Sequence, residues 1–140
     1  MGALTKVRPG GRRDGGYVTL KVDAGVVIYG GAIVVTGAEG LARPGYSATG
    51  LTVWGRATET VDNSGGAAGA KSVQIELSKG TKKFQFENDL TGTPLTQVDV
   101  GKPAYVLDDQ TLTADSTGRS HGGTTVIAVE GSKVWMMFAR

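Results

Sequence analysis

The chain has 140 residues, no cysteine, one histidine and 15 Lys+Arg against 13 Asp+Glu. That composition excludes disulfides, thiolate metal sites and thiol chemistry, and no apolar stretch reaches the roughly 18 residues of a membrane-spanning helix. Glycine, at 23 residues, stands well above the usual ~7% and follows no fixed repeat.

Residues 1–16 contain five glycines and few apolar side chains. Such a segment buries too little surface to offset the entropy of ordering, so it reads as an extended N-terminal arm. Lys6, Arg8, Arg12 and Arg13 make residues 1–13 basic without an acid, leaving 11 basic against 13 acidic residues elsewhere. A basic head on a mildly acidic body suits binding to something negative, with Lys6, Val7, Arg8, Arg12 and Arg13 as candidate contacts. The arm lacks the apolar run of a secretory signal, so synthesis in a cytoplasm is expected.

From Tyr17 the chain alternates short β-rich runs with turns. Tyr17 to Val22 has a period of two, and Asp23-Ala24-Gly25 turns it. Val26 to Tyr29 and Ala32 to Thr36 flank Gly30-Gly31, a tight turn or kink. After the turn Ala38-Glu39-Gly40 come Leu41 to Pro44, then β-rich runs at Leu51 to Gly55 and Arg56 to Val61. Asp62 to Gly69 is a loop. Ser72 to Ser78 is the cleanest half-buried strand, with Val73, Ile75 and Leu77 on one face. Lys79-Gly80-Thr81 returns it to Lys82 to Glu87, and Asn88 to Val98 is a connector. Tyr105 to Leu107 and Thr111 to Thr113 flank a turn at Asp108-Asp109. Thr124 to Val129 and Lys133 to Phe138 form a hairpin through Gly131-Ser132. Val134 to Phe138 is apolar on both faces, which places it at a barrel centre or a subunit contact. About ten short strands with turns every 8–12 residues predict an all-β fold: a single small barrel over 17–140.

No constellation supplies catalysis. Gly65 to Ser72 falls one residue short of a phosphate-binding loop, with Ala70 in place of the second required glycine. Such a loop opens a helix whose amides hold the phosphate, and a period-two strand follows here instead. Asp108 and Asp109 are neighbours, which face opposite sides of a strand, so they read as a turn. His121 lacks the further ligands of a zinc site. Ser120 beside it lacks the orienting group and oxyanion hole of a triad. No enzyme activity, cofactor or metal is expected. Trp54, Trp135, Tyr17, Tyr29, Tyr46 and Tyr105 could stack nucleobases. The basic residues, however, cluster in the arm rather than interleave with these rings, so core packing or an interface is the expected role.

Ile28-Tyr-Gly-Gly-Ala-Ile-Val-Val and Gly40-Leu-Ala-Arg-Pro, with Val53-Trp-Gly-Arg-Ala-Thr-Glu-Thr-Val-Asp-Asn-Ser-Gly-Gly-Ala-Ala-Gly, carry a resemblance. So do Val100-Gly-Lys-Pro-Ala-Tyr-Val-Leu-Asp-Asp-Gln-Thr-Leu-Thr and the closing Val-Glu-Gly-Ser-Lys-Val-Trp. Over roughly residues 17–138 the chain resembles small head decoration, or cement, proteins of tailed bacteriophages. The resemblance implies a β-barrel or β-tulip-like body without enzymatic activity. It also implies a homotrimer on the outer capsid that bridges major capsid protein subunits and stabilises the head. Trp54, Tyr105, Trp135 and Met137 are then candidate core or trimer-interface anchors. The expected location is the virion exterior, with no membrane partner. A nucleic-acid-binding small barrel, or a tail or fibre component, is the alternative.

Overall fold

The computed structural model describes residues 2–3, 5–7 and 15–140. Arg8, Arg12 and Arg13 of the expected arm lie outside the described residues. One sheet has the order β1-β7-β5-β3-β4, built from β1 (Tyr17–Lys21), β3 (Ile33–Thr36), β4 (Ala42–Pro44), β5 (Thr52–Ala57) and β7 (Ser72–Glu76). Its ladders are antiparallel throughout. The edges β1 and β4 meet where Val22 bridges Ala42 and the Asp23 N–H donates to the Ala42 carbonyl at 3.0 Å. The sheet therefore curls into a barrel pinned at that end. A two-stranded ribbon, β2 (Val27–Ile28) with β6 (Val61–Asp62), adds Ile28 and Val61 to its core.

A second sheet, in the order β11-β12-β8-β10-β9, uses β8 (Phe84–Asn88), β9 (Tyr105–Val106), β10 (Thr111–Thr113), β11 (Thr125–Glu130) and β12 (Lys133–Met137). Gln97–Asp99 forms a short 3-10 turn. Gly131 takes φ 62° in the two-residue turn that pairs Glu130 with Lys133, and this left-handed conformation favours glycine.

Two cores share strands β3 and β5. Val22, Val34, Ala57, Val73 and Ile75 fill the barrel. Ile33, Val35 and Val53 face the second sheet, where they meet Phe86, Val106, Leu112, Val134, Met136 and Phe138. Strict alternation along β3 splits its side chains between the cores, so all four of its residues are buried. In β5 the alternation breaks. Val34 pairs with Gly55 but Val35 pairs with Val53, leaving Trp54 as the extra residue of a bulge. A bulge re-aims the strand. Here Val53 serves the inter-sheet core and Ala57 the barrel core.

The all-β class and barrel-like body agree with the sequence reading, and the differences are local. Ala42–Pro44 forms β4 despite its proline, at the sheet edge where a missing N–H is tolerated. Arg56–Ala57 continues β5 rather than starting a new strand. The strand sealed on both faces is β3. β12 buries Val134 and Met136 but leaves Lys133, Trp135 and Met137 half-buried on its other face.

Candidate interaction surface

The first sheet hands over to the second through 77–83, and this crossing gathers charge. Lys79 turns the chain with φ 52°, followed by Gly80 at φ 75°. Buried Ser78 anchors the turn, its Oγ accepting the Phe138 N–H at 2.8 Å. The Ser78 and Lys79 N–H groups donate to the Arg140 carbonyl at 2.8 and 3.0 Å. The turn thus holds Lys79 beside Arg140. The Arg140 guanidinium lies 4.9 Å from the Trp54 ring centroid, and the Trp54 Nε1–H donates to Thr36 Oγ1 at 2.9 Å.

Next to this pair, Lys82 Nζ sits 5.0 Å from the Tyr17 ring centroid and 3.1 Å from Glu76 Oε2. Arg56 reaches the other Glu76 oxygen at 3.0 Å and lies 4.7 Å from the Phe84 centroid. A methyl on Gly16, the last residue before β1, would meet Lys82 Nζ at 3.0 Å. The chain therefore enters the body at this face. A hollow of about 430 Å³ continues from Arg56, Lys82 and Lys83 to Trp135. Arg56, Lys79, Lys82, Lys83 and Arg140 share the region with one acidic side chain among the described residues, Glu76. The hydrogen bond from Lys82 and the nearby Arg56 hold the Glu76 carboxyl below its ordinary value, against an opposing push from burial.

This overturns the expectation that the basic residues avoid the aromatic ones. Three cations of the body lie over Tyr17, Trp54 and Phe84, and Arg43 stands 5.4 Å from the Tyr46 centroid. The run Lys79-Gly80-Thr81-Lys82-Lys83 read in the sequence only as a turn into the next strand, and the partners of its cations come from other strands.

The residues singled out in the sequence have separate places. Lys6 and Val7 are exposed, Val7 at 92%. None of the four anchor candidates is fully buried. Trp54 packs at the rim of the barrel core with Val18, Leu20 and Leu77. Tyr105, in an edge strand, is half-buried and meets His121 edge-on at 5.5 Å. Trp135 and Met137 share the outer face of β12, opposite Ala128 and Thr125 of β11. A bulge at Ile127 leaves both Ile127 and Ala128 outside the core.

Ser120 Oγ and His121 Nδ1 both tie down local backbone. Ser120 Oγ donates to the Ala48 carbonyl at 2.7 Å and accepts the Leu51 N–H at 3.1 Å. His121 Nδ1 accepts the Gly123 N–H at 2.9 Å. Asp108 Oδ1 accepts the Gln110 N–H at 2.9 Å, as a turn aspartate does. Burial, with Asp108 beside it, pushes the Asp109 carboxyl up. Gly65 to Lys71 opens β7 rather than a helix. Its loop is tied down by Asn63, whose Nδ2 donates to the Asp23 and Ala67 carbonyls at 2.9 and 3.1 Å. Among the described residues no group of three or more His, Asp or Glu side chains could hold a metal. No helix among them is long and apolar enough to cross a membrane.

Comparison of the chain with protein-family models, with curated proteins and with solved structures gave no match.

Proposed function

We propose that this chain is a structural virion protein that binds the outer capsid surface as a homotrimer and cements the head by bridging major capsid protein subunits. The reading starts from the resemblance of its turn motifs to phage head decoration proteins. The observation that carries it is the outer face of β11 and β12, where Trp135, Met137, Ile127 and Ala128 lie outside both cores. Aromatic and methionine side chains left half-buried on a sheet face suit a surface that another subunit covers. Trimerisation would also link three basic arms, and such avidity raises attachment by ~10²–10⁴ over a single arm.

Light scattering tests this reading. A solution mass near three times 14.4 kDa is expected, together with attachment to phage heads that lack a decoration protein. Deleting residues 1–13 should leave a folded trimer with weakened attachment. A monomer that fails to bind such heads would remove the proposal. The concentration of cations in the arm and at its root motivates a second reading, a small nucleic-acid-binding barrel. It predicts tight binding to DNA or RNA with a steep salt slope.

A further inference from the structure

We propose that the cationic face at the root of the arm docks the body onto a carboxylate-rich surface of another protein. The inference rests on the binding role proposed above and names the side of the body that performs it. Residues 1–16 and this face together hold nine of the cations and two of the acids, Asp14 and Glu76; the rest of the chain holds six cations and eleven acids. Folding thus adds five positive charges to the place where the arm begins. Arg56 and Lys82 are held in position by Glu76. Lys79, Lys83 and Arg140 are exposed and make no ion pair among the described residues. A dense field of one sign steers an oppositely charged partner and fixes its register.

The geometry favours carboxylates over nucleic acid. A platform for bases needs bare ring faces. Here Phe84 is 4% exposed beneath Arg56 and Arg140 lies over half-buried Trp54, which leaves Tyr17, 53% exposed with Lys82 over it, as a single open ring rather than a platform. The face presents ammonium and guanidinium groups, with the rings as their supports.

A second copy is the poorer occupant, because its acids are engaged and scattered. Asp23, Glu76, Glu87 and Asp115 are in ion pairs. Asp62, Asp89, Asp99 and Asp108 accept backbone N–H groups. Among the described residues Glu39, Glu59, Asp109 and Glu130 remain, each in or beside a different turn or bend.

The test uses the full-length chain with poly-L-glutamate and a single-stranded oligo(dT) of equal charge as probes. The triple variant K79Q/K83Q/R140Q should bind poly-L-glutamate about tenfold more weakly, whereas K21Q/K71Q/K102Q, which removes the same charge elsewhere, should change it less than about threefold. Arg140 covers Trp54, so K79Q/K83Q serves as the milder variant and must show the same localisation. Equal losses in the face and control variants would overturn the inference in favour of bulk charge. Tighter binding to oligo(dT) would overturn it in favour of nucleic acid. A salt-dependent drop in solution mass confined to the face variants would assign the face to a second copy. Undecorated heads separate this inference from the function it rests on. A trimer that binds them equally with and without the face cations sinks the face and spares the function. Heads left bare by a protein that binds poly-L-glutamate through the face do the reverse.

Discussion

Strands β3 and β12 both carry uninterrupted apolar runs, and the fold treats them differently. β3 lies in the one sheet that both cores share, so Ile33 and Val35 enter one core and Val34 the other, all at 0% exposure. β12 is an interior strand of the second sheet, between β11 and β8, and that sheet has a core on one side only. Val134 and Met136 are sealed at 0%, while Trp135 and Met137 stay outside. An apolar strand face calls for a cover, and for β3 the chain supplies it twice. For the outer face of β12 no described element does, and a self-contact fills that role in the proposed trimer.

The contrast can be broken most forcefully at β3. Ile33→Ala should cost about 2–5 kcal/mol, since it empties a fully buried site between two sheets. Denaturant unfolding would measure it. Gly55→Ala attacks the same region through the backbone. A methyl there would run into the Glu76 carbonyl of β7 and crowd Ile75, and overpacking of this kind costs about 1–3 kcal/mol. Trp135→Ala should be milder, about 1–2 kcal/mol, because large losses at tryptophan require full burial. Its principal effect should be on solution mass. A loss of stability as large as that of Ile33→Ala, with no change in mass, would place Trp135 in the fold rather than at a contact.

The sequence was most legible where one face is wet. Ser72 to Glu76 alternates cleanly and forms β7 because Val73 and Ile75 point into the barrel while Ser72 and Gln74 meet solvent; the expected alternation ends there, since Ser78 is buried in the turn that follows. The Gly131-Ser132 turn was legible because its chemistry is local. The location of the doubly covered strand was not. Val134 to Phe138 and Ala32 to Thr36 look alike in composition, and only the curl of the first sheet decides which is enclosed. The Trp54 bulge was hidden for the same reason, since it depends on register with β3. The cationic face was half legible. Lys79, Lys82 and Lys83 are close in sequence, but Tyr17, Arg56 and Arg140 arrive from three other segments.

The smallest expected effect sharpens the comparison at the border between barrel and cationic face. Glu76 pairs with both Arg56 and Lys82, with its side chain 17% exposed and theirs near 40%. Pairs this exposed are worth below about 1 kcal/mol, so Glu76→Gln should lower stability only slightly at neutral pH. The pH profile is more telling. The Glu76 carboxyl sits below its ordinary 4.5 in the fold, so its contribution is complete above that value and disappears as pH falls through the lower folded one. Asp109 has the opposite sign: its raised carboxyl takes up a proton earlier in the fold than in the unfolded chain, which favours the fold as pH falls. Glu76→Gln should therefore flatten the loss of stability on acidification, and Asp109→Asn should steepen it. Thermal melts from pH 7 to 3 read both slopes. Parallel curves for Glu76→Gln and the parent chain would mean that Glu76 only tethers two cations of the face and contributes nothing to the barrel beneath it.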